Sequence, residues 1–302
     1  MKIKDRPLIG TLLGITALLI WSVTALIISE LAHVPTFQTS AIVFLIAFLF
    51  TSMILTKKRG WAKVPRVPRV WFIGFFAVLL NQTAYVYAVK SVPVEQAEIL
   101  YYLWPTMVVL VTYFFMETES SFVPLISAGI GMVGIYIMIT DGKGFGSVSL
   151  ENSAGYFFAV LSGGAWVVYS LFNRYNPHIP VEMNGMWCGL SAIPCAILSL
   201  LYEEMIMPTM YDWMLLLFIG IVTLTFSFWM WSRGVQSGHF NFLSVVSYAT
   251  PLLSVIFLIV FEKVEFKANV IVACQLVILG GTLCSIVEWL QSKVAGVRAD
   301  PD

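Results

Sequence analysis

Ten apolar runs free of charged side chains follow one another along the chain, at residues 8–28, 36–56, 70–89, 99–116, 122–140, 152–173, 183–202, 213–232, 240–261 and 268–287. Each is 18 to 22 residues long. A helix rises about 1.5 Å per residue and a bilayer's hydrocarbon core is roughly 30 Å thick, so each run is long enough to cross once. Lipid offers no partner to backbone polar groups, which restricts spanning segments to helices and closed barrels. Continuous apolar runs of about twice a barrel strand's length decide for helices. The polar segments between the runs are too short for a soluble domain. The pattern predicts one all-α integral membrane domain over residues 1–302 with ten transmembrane helices. The first run has no small-residue cleavage site and nine more follow it, so it is expected to stay attached.

Composition agrees: 59% of residues are hydrophobic, 11% are charged and mean hydropathy is +0.87, whereas soluble domains carry about a quarter charged residues. The 17 basic and 17 acidic residues are confined to loops, so the zero net charge does not indicate a partner. Placing the amino terminus in the cytoplasm puts Lys2, Lys4, Arg6, the cluster Lys57, Lys58, Arg59, Lys63, Arg66, Arg69, and Arg174, Arg233, Lys293 and Arg298 inside. Lys90, Lys143, Lys263 and Lys267 then fall outside. The positive-inside rule therefore predicts both termini in the cytoplasm. Cys188, Cys195, Cys274 and Cys284 all lie within runs and are expected to be buried free thiols, with neither a disulfide nor a metal site.

The sequence also repeats itself. The stretch VKSVPVEQAEILYYLWPTMVVLV (89–111) lies without gaps on VQSGHFNFLSVVSYATPLLSVIF (235–257), pairing Val89 with Val235, Ser91 with Ser237, Tyr102 with Tyr248 and Pro105 with Pro251. Gly10, Trp21 and Pro35 fall on Gly155, Trp166 and Pro180 at a nearly equal offset, and Gly134 falls on Gly280. Repeat one is expected over 8–140 and repeat two over 152–290. With five spans each, the second copy enters the membrane from the opposite side. The expected architecture is thus two inverted repeats around a central cavity, with a substrate site near the midplane as in many secondary transporters.

Run 4 reaches Tyr102–Pro105 some 10 to 15 Å below the outer surface, close to the membrane centre, and run 9 brings Tyr248 and Pro251 to a similar depth from the other side. A proline inside a helix removes one amide donor and frees the carbonyl four residues back, Tyr101 for Pro105 and Ser247 for Pro251. Such a carbonyl can bind an ammonium or serve as a hinge. Around this level lie Trp21, Ser22, Asn81, Gln82, Tyr85, Tyr102, Trp104, Trp166, Tyr169, Ser170, Phe228, Trp229, Ser244, Ser247 and Tyr248. Mid-span Trp and Tyr depart from the usual interfacial belt and want polar partners when buried. Aromatic faces, amides and hydroxyls without a basic cluster suit a small neutral or zwitterionic molecule with an apolar part, whereas phosphorylated substrates would want central Lys or Arg. Lys90 and Arg233, near span ends, are expected to be snorkelling or loop residues. Glu98, about one turn below the outer surface, is either a proton relay or ammonium site or a solvated helix end. Gly10 with Gly14, and Gly131 with Gly134, have the spacing for close helix packing. No zinc, serine-hydrolase or phosphate-loop motif is present, so neither enzyme nor nucleotide-driven pump is indicated.

Ten spans in two sets of five, Trp21 and Trp166 midway along spans 1 and 6, and Pro105 and Pro251 within spans 4 and 9 resemble the drug/metabolite transporter superfamily, EamA type. The segment YYLWP (101–105) within EILYYLWPTMVVL, with SYATPLLS (247–254) in the second half, is similar to its aromatic amino acid exporter branch. The resemblance spans nearly the whole chain. It implies an exporter of aromatic and other neutral amino acids in the plasma membrane of a bacterial cell, working by alternating access. The expected substrate-binding set is Trp21, Gln82, Tyr85, Tyr102, Trp104, Trp166, Tyr169, Ser244 and Tyr248, of which Tyr102, Trp104, Trp166 and Tyr248 carry the resemblance. Pro105 and Pro251 are expected hinges and Glu98 a possible coupling group. No cofactor, metal or nucleic acid is expected; the partners are a small molecule and the bilayer, and a monomer is the expected state. An exporter of other amphipathic metabolites or drugs, or a non-transporting membrane sensor, are the alternatives.

Overall fold

The computed structural model describes residues 7–115, 123–140, 150–247, 249–265 and most of 268–286 of the 302-residue chain. All regular structure among these residues is helical. In chain order the helices are α1 (Pro7–Trp21), α2 (Thr24–Glu30), α3 (Thr36–Lys57), α4 (Pro68–Ser91), α5 (Val94–Tyr101), α6 (Trp104–Phe115), α7 (Val123–Thr140), α8 (Ser153–Tyr175), α9 (Met183–Tyr202), α10 (Met210–Leu217), α11 (Phe228–Ser237), α12 (Phe240–Ser247), α13 (Ala249–Val260) and α14 (Ala268–Gly280). Six segments among the described residues are long and apolar enough to cross a membrane: Pro7–Glu30, Thr36–Lys57, Pro68–Ser91, Ser153–Tyr175, Met183–Tyr202 and Met210–Ser237.

Local chemistry sets several boundaries. Proline opens α4 at Pro68, where its missing donor costs nothing. At α10, Asp212 N donates to Thr209 Oγ1 (3.2 Å) and Thr209 N donates to Asp212 Oδ2 (2.8 Å), a reciprocal cap. The fourth run is broken rather than bent. Tyr102 N still donates to Glu98 O (2.9 Å), Leu103 N reaches only three residues back to Leu100 O (3.3 Å), and a new helix starts at Trp104. Pro105 thus sits in the first turn of α6, where an amide donor is dispensable. Pro251 lies within Ala249–Val260, and Tyr248 before that segment is outside the described residues. At Pro105 the expected mid-helix kink is therefore a helix start.

Between α10 and α11, Phe218–Ser227 is wound as a π-helix. Threonine and serine support the wider turns: Thr225 Oγ1 donates to Gly220 O and Ser227 Oγ to Val222 O, both 2.9 Å and both five residues back. The π-turn is usually a single bulge at a functional position; here it runs for 10 residues.

The main helix pairings are α4 with α8, α3 with α9 and α1 with α11. Close approach is bought by small residues at two points. A Cβ at Gly74 would fall within 2.4 Å of three Trp187 ring atoms, and one at Gly10 would lie 2.7 Å from the Gly238 nitrogen. The Gly10/Gly14 pair is thus a packing seam. Gly131 is not: a Cβ there meets nothing within 4 Å.

Candidate functional site

Where the two halves meet, Trp21, Thr24, Asn81, Gln82, Tyr85, Tyr101, Tyr102, Trp166, Thr223 and Phe228 enclose a chamber of about 30 Å³. A water occupies ≈ 30 Å³ in the liquid, while small-molecule sites run to hundreds of cubic ångströms. The chamber therefore admits water and no amino acid in this conformation. Part of its polar lining is unsatisfied: Thr24 Oγ1, Gln82 Nε2 and Thr223 Oγ1 are buried without a hydrogen-bond partner. Buried polar atoms in folded proteins nearly always have partners, so these three mark a place for a ligand or for water.

Behind the chamber the aromatic rings interlock. Trp21 meets Trp166 edge-on at 4.9 Å, Trp166 stacks on Tyr169 at 5.0 Å, and Trp104 meets Trp231 at 5.6 Å and Trp166 at 6.3 Å. Edge-to-face geometry suits ring quadrupoles and adds about 0.5–1.5 kcal/mol per pair beyond burial. The polar tips are tied down: Trp231 Nε1 donates to Ser170 Oγ (3.1 Å), Tyr169 OH and Ser232 Oγ lie 3.0 Å apart, and Trp21 Nε1 reaches Thr223 O at 3.5 Å.

Trp21, Gln82, Tyr85, Tyr102 and Trp166, all expected from the sequence, line the chamber. Trp104 and Tyr169 lie one layer back, in the ring cluster. Tyr248 and the side chain of Ser244 lie outside the described residues. Thr24, Thr223 and Trp231 were not anticipated. Trp229 was, but it stands apart, with the Arg233 guanidinium 6.0 Å from its ring centre. Trp229 and Trp231 are two residues apart on α11 and therefore lie on different faces of it. The freed Tyr101 carbonyl abuts α8, where a Cβ at Gly163 would come within 2.8 Å of its oxygen.

Glu98 is fully buried (0% exposed), which overturns the solvated-helix-end alternative. The short helix α5 is covered by α7, α8 and α13, so a residue one turn from its start lies in the interior. Tyr85 OH donates to Glu98 Oε1. The other oxygen, and the Ser254 hydroxyl approaching it from α13, are buried without a formed hydrogen bond. Asn81 Nδ2 donates to Ser162 O (3.2 Å) and Ser162 Oγ to Asn81 O (2.6 Å), tying α4 to α8 beside this group. Lys90 is not free at the surface either: its ammonium donates to Val34 O (2.6 Å) and Thr39 Oγ1 (2.8 Å).

Residues 8–140 and, separately, 153–286 match the EamA-like transporter family. The chain belongs to that family. An EamA-like chain is an integral membrane transporter and not an enzyme, and here it carries two copies of the family's unit. It is 27% identical over 278 residues, 92% of this chain and 97% of the relative, to the aromatic amino acid exporter YddG of Ancylobacter novellus. It is 20% identical to the aromatic amino acid exporter YddG of Escherichia coli, over 94% of this chain and 98% of that protein. The uncharacterized transporter YetK of Bacillus subtilis is also 20% identical, over 86% and 81%. A solved crystal structure superposes with a TM-score of 0.74 at 28% identity, covering 92% of this EamA-like chain and 96% of the other.

Proposed function

We propose that the protein exports aromatic and other neutral amino acids across the bacterial inner membrane by alternating access. The observation that carries this is the chamber between the halves, with aromatic walls and three unpartnered polar groups. Amide and hydroxyl groups there can meet a zwitterion's ends while indole and phenol rings take an aromatic side chain. The two exporters that align over nearly the whole chain support the substrate class.

The proposed architecture has ten spans, counting α1 with α2, α5 with α6, α10 through α11, and α12 with α13 as one span each, in two inverted sets of five. A twofold that exchanges span n with span n + 5 turns the α4–α8 pairing into α11–α1 and returns α3–α9 to itself. It also turns the contacts of α5 and α6 with α8 into those of α12 and α13 with α1. Both termini are cytoplasmic in this reading. A chamber of about 30 Å³ must widen roughly tenfold to hold an amino acid, so the halves separate during the cycle about the break before Pro105 and the hinge proposed at its repeat partner Pro251. Tyr248 and Ser244 complete the proposed binding set. Glu98, buried against the chamber tyrosine Tyr85, is the proposed coupling group.

The test is counterflow of labelled L-phenylalanine into proteoliposomes preloaded with a panel of amino acids. Exchange with phenylalanine, tyrosine and tryptophan supports the reading. Exchange only with other amphipathic compounds replaces the substrate class, and absence of any flux refutes transport. Glu98→Gln is expected to keep counterflow and to lose accumulation driven by a pH gradient.

A further inference from the structure

A second cavity of about 240 Å³ lies between α3, α9 and the π-helix, at the end of the bundle that carries Lys57, Lys58, Arg59 and Lys63. Its lining joins opposite charges to an aromatic wall: Lys58 and Glu182 at the mouth, Thr51, Asn184 and Thr225 deeper, and Trp229 along one side. Two of these polar groups are buried and unsatisfied. Asn184 is 4% exposed and Thr51 3% exposed, and neither Asn184 Oδ1 nor Thr51 Oγ1 has a hydrogen-bond partner. The Asn184 amide orientation is set by its environment, because Nδ2 donates to Leu224 O at 2.6 Å, which leaves Oδ1 as a pure acceptor. Lys58 and Glu182 form no ion pair with each other.

The geometry points to a cytoplasmic vestibule site, distinct from the central chamber, that takes a zwitterionic amino acid with an aromatic side chain before it reaches the chamber. The ammonium lies between Asn184 Oδ1 and the Glu182 carboxylate, the carboxylate faces Lys58 and Thr51, and the ring packs on Trp229. The π-helix is the partition: Thr225 lines the vestibule, Thr223 lines the chamber, and Leu224 between them is the residue whose carbonyl Asn184 holds. This site deepens the export reading and rests on it for the direction of flow.

Everted membrane vesicles, which expose the cytoplasmic face, measure the KM for labelled L-phenylalanine at that face; right-side-out vesicles measure it at the other. Glu182→Gln, a half-buried change that leaves the core untouched, is expected to raise the everted-vesicle KM about tenfold, the loss of one hydrogen bond to a charged group. Vmax and the right-side-out KM stay at wild-type values. A wild-type KM in Glu182→Gln overturns the site. In nanodiscs, an Ile54→Cys variant at the cavity wall, in a background without the native cysteines, is expected to be protected from maleimide by phenylalanine. Protection that instead follows the phospholipid headgroup and ignores phenylalanine assigns the cavity to lipid and also overturns it. If wild-type protein moves no phenylalanine in either vesicle type, the export reading fails by itself; equilibrium binding of labelled phenylalanine in nanodiscs, abolished or not by Glu182→Gln, then decides the vestibule separately.

Discussion

The two ends of the bundle are closed by different means. At the end read as outer, side chains stitch the halves together across the repeat boundary. The Glu203 carboxylate accepts from Phe37 N (2.7 Å) and Gln38 N (2.8 Å) at the start of α3, where exposed amides and the helix dipole favour an anion. Gln38 exchanges two bonds with the Ile206 backbone, at 2.6 and 3.0 Å. His33 Nε2 lies 3.1 Å from Asp212 Oδ2, and Lys263 pairs with Glu30 at 2.5 Å. At the other end the halves meet backbone to backbone, Gly10 against Gly238, with His239 N donating to Thr11 Oγ1 (2.9 Å), and the 240 Å³ cavity lies separately between α3, α9 and the π-helix. The outer end is a set of polar bonds that can be broken singly; the inner end is a packing surface. On the proposed cycle, opening outward requires loss of several polar links, whereas opening inward requires the packed glycine seam to part.

Changes at the chamber itself have the largest expected effect, since both ends serve it. Trp166→Ala and Tyr102→Ala should each reduce phenylalanine efflux below detection, with Trp166→Phe and a monodisperse elution profile controlling for folding. Efflux at the wild-type rate in Trp166→Ala would remove the chamber from the pathway. At the inner seam, Gly238→Leu places atoms where a Cβ already lies 2.6 Å from Thr11 N; overpacking of this kind costs about 1–3 kcal/mol, to be read as a lowered unfolding temperature in detergent. At the outer end, Glu203→Ala removes two bonds to a half-buried carboxylate. After discounting for solvent the cost is about 2 kcal/mol, a roughly thirtyfold shift toward outward-open. A cysteine at Thr24, in a background without the native cysteines, should then react faster with an impermeant maleimide from outside. Smallest of all is Lys263→Ala, because the pair with Glu30 is partly exposed and such pairs contribute about 0–1 kcal/mol; the same labelling rate should barely change.

Much of this was legible in the sequence, for identifiable reasons. Run length and hydropathy mark the helices because backbone satisfaction in lipid leaves few alternatives. The proline at 105 located the break in the fourth run, although the helix ends at Tyr101, a few residues early, because a restart places proline where no donor is missed. The aromatic positions Trp21, Tyr85, Tyr102 and Trp166 stood out because mid-span indoles and phenols are costly without a purpose. The π-helix left no comparable cue: Thr225 and Ser227 support it through bonds five residues back, and a hydroxyl in a span reads equally well as an ordinary α-helical contact four back. Depth along the span also does not separate Trp229 from Trp231, two residues on and on another face of α11. The burial of Glu98 was illegible for another reason, since depth counted along one helix ignores the neighbours that α5 acquires from α7, α8 and α13.

The measurement that bears most directly on alternating exposure is side-specific labelling of a cysteine placed at Gln82, in everted and right-side-out vesicles, with and without phenylalanine. Gln82 is buried in the resting structure, so slow labelling from both sides is expected, with phenylalanine accelerating it at one face at a time as substrate is supplied there. Position 82 remaining unreactive from both faces while phenylalanine flux continues would place the pathway elsewhere and contradict the account.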